Sequence, residues 1–171
     1  ELEYSGGALT VSSNGGDIIM PGDVIDDLDA AITLDAGTGA IYLFDATLDD
    51  GGSSGFDFGG GSLLVLNGII SQRDTFDTTA LDDNNTIEVA GNSSITVTGG
   101  SILTTGENIN DDLVAGTNTL TLDASATVRL QDVGNLRPIN ALTVIGDVVQ
   151  LQGNVVTVNN VLVAFNAFAL G

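Results

Sequence analysis

The chain contains no cysteine, no histidine, no lysine and no tryptophan, and only two prolines. Each absence removes a class of chemistry. Without cysteine there is no disulfide framework, no thiolate nucleophile and no cysteine-ligated metal. Without histidine as well, the familiar catalytic triads and tetrahedral zinc sites are excluded. The cationic side chains are Arg73, Arg129 and Arg137, set against 23 acidic ones, so the formal net charge is −20. Nucleic-acid binding requires clustered Lys and Arg to release counterions, and none are clustered here. Anionic headgroups are repelled for the same reason. No stretch approaches the ~20 apolar residues of a membrane helix, so no membrane insertion is expected. No signal peptide is visible. The chain opens on Glu1 rather than Met, which reads as a processed product or a fragment.

What is present points to short strands and many turns. Hydrophobic residues make up 43% of the 171 positions, enough to offset the chain entropy that keeps acidic tails unfolded. Only 5% are aromatic, so the core must be built from Val, Ile, Leu and Ala, which suit narrow repeated layers. Asp outnumbers Glu 19 to 4, the reverse of a helical bias, because Asp competes with the helix backbone. The 23 Gly and 14 Asn belong with Asp in turns.

Strands are expected at Ala8–Ser12, Asp17–Met20, Ala31–Leu34, Ala40–Phe44, Ser62–Leu66, Gly68–Ser71, Thr86–Val89, Ser94–Val97, Ser101–Thr104, Thr119–Leu122, Ala126–Leu130, Ala141–Val144, Val148–Leu151, Val155–Val158 and Val161–Phe165. Only Asp23–Ala31 (DVIDDLDAA) has the makings of a helical turn or two. Leading apolar residues recur at steps of seven or eight, as in Ile87, Ile95 and Ile102, Leu120 and Val128, or Leu142, Val149 and Val156. Three such steps give a coil of about 22 residues, the signature of a parallel β-solenoid. Inward positions then hold Val, Ile, Leu and Ala, and outward ones Thr, Ser, Asn and Asp. The expected fold is therefore all-β, a parallel β-helix with Asp/Asn/Gly turns, spanning residues 1–171 as one domain. An antiparallel β-sandwich or jelly roll is the alternative. Two stretches read as loops leaving the coil: Asp49–Gly61 (DDGGSSGFDFGGG) and Ser71–Asn85 (SQRDTFDTTALDDNN).

The stretch from about Asn84 to Val163 resembles the repeats of large secreted bacterial adhesins of the filamentous-haemagglutinin type. The phrases that carry the likeness are NTIEVAGNSSITVTGGSILTTGENI, NDDLVAGTNTLTLDASATVRLQ and ALTVIGDVVQLQGNVVTVNNVLV. The resemblance implies a right-handed parallel β-helix, export from the cell, and a role in attachment or matrix building. It supplies no catalytic residues.

Only carboxylates remain as catalytic candidates. Paired acids of a polysaccharide-cleaving β-helix are conceivable at Asp26/Asp27/Asp29, Asp49/Asp50, Asp82/Asp83 and Asp111/Asp112. The Trp, Tyr and Arg that usually line a glycan groove are nearly missing, so no enzyme activity is expected. The same acids can offer hard oxygen ligands to Ca²⁺. The calcium candidates are Asp26, Asp27, Asp29, Asp111 and Asp112, with solvated turns as the competing reading of each. No other cofactor is implied. Asn84-Asn85-Thr86 and Asn92-Ser93-Ser94 are glycosylation sequons in turns.

The segment 155–171 is strongly apolar and follows the last charged residue, Asp147. Either Phe165 and Phe168 fold back to plug the final coil, or the end stacks on another subunit. The second reading names Val161, Val163, Phe165, Phe168 and Leu170 as assembly residues. Together these features predict an extracellular, secreted or cell-surface structural subunit. Its expected partners are further copies stacked head to tail, and surface glycans. The alternatives are a carbohydrate-active β-helix enzyme or a glycan- or calcium-binding module of a giant adhesin.

Overall fold

Alternation between apolar and polar side chains decides the architecture, because a period of two buries one side of every strand. The computed structural model describes residues 2–4, 8–22, 24–26, 31–48, 55–81, 86–104 and 106–170. In chain order the strands are β1 (Leu2–Tyr4), β2 (Leu9–Ser12), β3 (Ile18–Pro21), β4 (Val24–Asp26), β5 (Ile32–Asp35), β6 (Ala40–Phe44), β7 (Phe56–Gly60), β8 (Leu63–Asn67) and β9 (Ile69–Gln72). There follow β10 (Phe76–Asp77), β11 (Thr86–Val89), β12 (Ser93–Val97), β13 (Ile102–Leu103), β14 (Asn108–Asp111), β15 (Thr119–Ala124), β16 (Thr127–Leu130), β17 (Ala141–Leu151) and β18 (Val161–Leu170). Among the described residues there is no helix.

Every strand pairing is parallel, and the partners lie one coil apart, so the chain is a parallel β-solenoid of about six turns. Three faces are visible. The first stacks β2, β5, β7, β10, β13 and β16, then residues 148–151 of β17 and 167–170 of β18. The second stacks β3, β6, β8, β11 and β14, continued by bridges from Ile109 to Val133 and from Val133 to Val155. The third stacks β9, β12, β15 and the leading halves of β17 and β18. One coil takes Phe76 to Ile102, while the last takes Val149 only to Phe168, so the corners absorb the difference in length.

The core runs along the axis as ladders of like residues. Ile41, Leu64, Ile87 and Ile109 stack on the second face, and Ile70, Ile95, Leu122 and Val144 on the third, all buried. Burying one such side chain contributes roughly 1.5–3 kcal/mol, so the solenoid is stabilised rung by rung rather than by one central cluster. Corners need backbone that side chains resist. Gly68 has φ +85°, and a Cβ there would overlap the Asp45 carboxylate, which itself accepts the Ile69 N–H at 2.9 Å.

Strands β1 and β14 lie where the sequence predicts none, and the structure departs from the sequence expectations elsewhere too. The Gly-rich stretch read as a loop becomes β7 from Phe56, because Phe56 and Phe58 are buried and Phe58 packs edge-on against Phe76 at 5.3 Å. The polar stretch from Ser71 completes β9 and contains β10, again because buried Phe76 has a place in the stack. The segment suggested as helical contains β4, paired with β1; residues 27–30 lie outside the described ones. The two strands expected at 141–144 and 148–151 merge into β17, which turns a corner at Gly146 and Asp147 and keeps one register with β18 on both sides of it. The strand expected at Val155–Val158 is reduced to single bridges at Val155 and Thr157.

Candidate functional site

The last rung carries all five residues expected at an assembly surface. β18 pairs with β17 in unbroken register from Leu142↔Val161 to Leu151↔Leu170. Its other edge has no partner strand among the described residues. Register carries the inward pattern over, so Val161, Val163, Phe168 and Leu170 lie above Leu142, Val144, Val149 and Leu151. Leu142 and Val149 are buried, but Val161 and Phe168 above them are 44% and 41% exposed, and Leu170, above half-buried Leu151, is 74% exposed. Phe165, 47% exposed, lies above Gly146 and stacks on Phe168 with ring centroids 5.0 Å apart. The two rings therefore lie together over the coil end and leave about half of themselves to solvent. An edge of this kind presents free main-chain donors and acceptors beside apolar side chains, the arrangement that accepts another strand.

The acidic candidates have separate positions. Asp26 ends β4, and Asp27 and Asp29 lie outside the described residues. Asp111 ends β14, wholly buried. Its Oδ2 accepts the N–H groups of Thr117 at 2.8 Å and Asn118 at 3.2 Å. Its Oδ1 accepts the Asn118 side-chain amide at 2.7 Å and the Asp112 N–H at 3.0 Å. Burial alone would raise the Asp111 pKa, but these donors to the charged form outweigh it and hold the carboxyl below its ordinary value. Asp112 in turn accepts the Val114 N–H at 3.2 Å. A cation at Asp111 would have to displace the N–H groups that its own loop supplies. Among the described residues, no group of three or more Asp, Glu, His or Cys converges on a point.

The neighbouring Asn110, in the run 108–112 that reads in sequence as a calcium cluster or a solvated turn, is equally buried. Its Oδ1 accepts the N–H groups of Leu136 at 3.0 Å and Arg137 at 3.1 Å, one coil further on. Arg137 donates from Nε to the Asp111 carbonyl at 2.8 Å and pairs with the Glu88 carboxylate. A turn-like Asn-Asp-Asp run is thus a strand end that pins two loops.

A second acidic grouping was not legible in sequence because its members are far apart. Asp57 of β7 faces Asp77 of β10 in direct register, with Thr33 on its other side. Burial first, then the charges of Asp74 and Asp77, push the Asp57 carboxyl above its ordinary value. The pairs Asp49/Asp50 and Asp82/Asp83 lie outside the described residues, as does Asn84. Asn92 sits at an exposed corner and accepts the Thr119 N–H at 3.0 Å. A shallow depression of about 290 Å³ opens at the corner of Ser125, Asp147 and Asn166, where the Asn166 amide donates to Asp147 at 2.9 Å.

No protein-family model, no curated protein and no solved structure matches this chain.

Proposed function

We propose that this chain is a structural or adhesive β-solenoid subunit of an extracellular filament, sheath or cell surface, related in kind to the repeat adhesins that its sequence resembles. The observation that carries this reading is β18: a ten-residue strand with one unpaired edge, half-exposed apolar side chains and no charge. On a molecule of net charge −20 it offers a second copy a surface without like-charge repulsion. Main-chain pairing and apolar burial would join copies head to tail, and repetition of a heterologous contact yields a fibre. The acidic exterior keeps the remaining faces apart and solvated.

Negative-stain electron microscopy of the purified protein, with and without Ca²⁺, tests this. Fibres or stacked rods in the wild type, lost in Phe168→Asp, are the expected result. Isolated short rods at every concentration would overturn it. A carbohydrate-active enzyme is the second reading, favoured by the Asp57–Asp77 pair, in which burial and the neighbouring acids raise the Asp57 pKa. A polysaccharide screen that gives no product removes it.

A further inference from the structure

Three loops stack at the corner between the second and third faces, the last of them leading directly into β18. They are 112–118, 134–138 and 156–158. Loops at a surface are normally polar, yet these expose Leu113 at 89%, Leu136 at 74%, Val114 at 60%, Val158 at 59% and Val156 at 41%. They are held together from within. The Gly116 N–H donates to the Pro138 carbonyl at 2.7 Å, and Val158 packs so closely on Gly116 that a Cβ there would overlap it. Buried Asp111 closes the first loop, and buried Asn110 fixes the second at Leu136 and Arg137. Two fully buried polar side chains are thus spent on holding apolar residues outward, where mobile loops would fold them in.

From the fractional exposures the patch presents about 500 Å², the upper end of what a monomer usually leaves open. Its lack of charge sets how a second copy can approach. Residues 113–118, 133–141 and 148–170 carry one charged side chain between them, Arg137, which is paired with Glu88. Elsewhere the surface is strongly acidic, and Asp112 stands at the patch rim. A second copy, itself at −20, meets least repulsion corner to corner. Two such patches would bury about 1,000 Å², the lower bound for a specific protein interface.

We infer that two copies associate side by side through this corner, in an isologous contact centred on Leu113, Val114, Leu136 and Val158. This rests on the reading that the chain self-associates, and adds a lateral contact to the end-on one. In a filament it would pair neighbouring strands of subunits.

Sedimentation velocity over a concentration series tests it, on the wild type, Leu113→Asp, Leu136→Asp and Phe168→Asp, at low and high NaCl. The wild type is expected to form larger assemblies, and Phe168→Asp, which blocks end-on stacking, a dimer that tightens with salt, because salt screens the repulsion between two polyanions. Added to Phe168→Asp, either loop change should weaken that dimer about tenfold or more. The loop variants alter exposed side chains, so their thermal unfolding should match the wild type. Association that survives both loop variants but fails in Phe168→Asp would overturn the lateral contact and leave the end-on reading standing. A wild type that stays monomeric at all concentrations and salts would overturn both. Because the chain has no cysteine, a spin label on Ala115→Cys, exposed in the same loop but outside the named contact residues, gives an independent readout. A defined intermolecular distance is expected, and its absence at dimer-forming concentration would sink the proposal.

Discussion

Removing the Asp111 carboxylate should destabilise the protein by more than any other single polar change at its surface corners. Asp111→Ala leaves the N–H groups of Thr117, Asn118 and Asp112 and the Asn118 amide without their acceptor. Each lost bond is worth about 1 kcal/mol, and water can replace the acceptor for exposed Thr117 but less readily for the others. The expected loss is about 2–4 kcal/mol, or roughly 5–15 °C in Tm for a chain of this size. Circular dichroism melts at pH 7 measure it, and amide exchange at Thr117 and Asn118 should accelerate first. The pH dependence has a fixed sign. The folded pKa of Asp111 lies below the ordinary 3.8, so its charge stabilises the fold above the unfolded value and that contribution is lost as pH falls through the folded one. The gap between wild type and Asp111→Asn should therefore be full at neutral pH and narrow in acid. A gap that widens below pH 4, or an Asp111→Ala melt within about 2 °C of wild type, would refute the reasoning.

Three further outcomes follow from the same geometry. Asp57→Asn should raise Tm at pH 7, by the few tenths to 1 kcal/mol that a like-charge cross-strand pair costs. Because the Asp57 pKa is raised by burial and by Asp74 and Asp77, the wild type regains that stability as pH falls through the raised folded value; scanning calorimetry at pH 7 and in acid should show the two proteins converging. Phe76→Ala should cost about 3–5 kcal/mol in guanidinium unfolding, since its ring is fully buried and packs against Phe58. Glu88→Gln, which breaks a partly exposed ion pair with Arg137, should cost under about 1 kcal/mol, whereas Asn110→Ala should cost more, because it strips the acceptor from two backbone N–H groups at a buried site.

The strands legible in sequence were those whose neighbours share their alternation. Ala40–Phe44 and Thr86–Val89 are found at their expected bounds, and the steps from Ile87 to Ile95 to Ile102 carry the chain from the second face to the third and the first, although the coil from Ile95 to Leu122 is longer than the roughly 22 residues expected. The strands that were hidden break the local pattern. Phe56 and Phe58 sit among glycines, Phe76 among hydroxyl and acidic residues, and Asn110 and Asp111 look like turn formers. In each case the deciding partner lies about one coil away, where no local pattern can register it.

By itself, the sequence determined an all-β fold of short strands and favoured the solenoid over a sandwich, because alternation at short, even steps with Asn, Asp and Gly corners suits stacked coils. It also determined the acidic exterior and the uncharged final segment. The tertiary structure alone decided which polar residues are interior. Asn110 and Asp111 are buried because the loops of two coils bring their N–H groups to them, and Asp57 meets Asp77 because stacking sets them in register. It alone gathered Leu113, Leu136 and Val158 on one corner. Stacking juxtaposes residues a full coil apart, and coils of unequal length set those partners by register rather than by any fixed spacing along the chain.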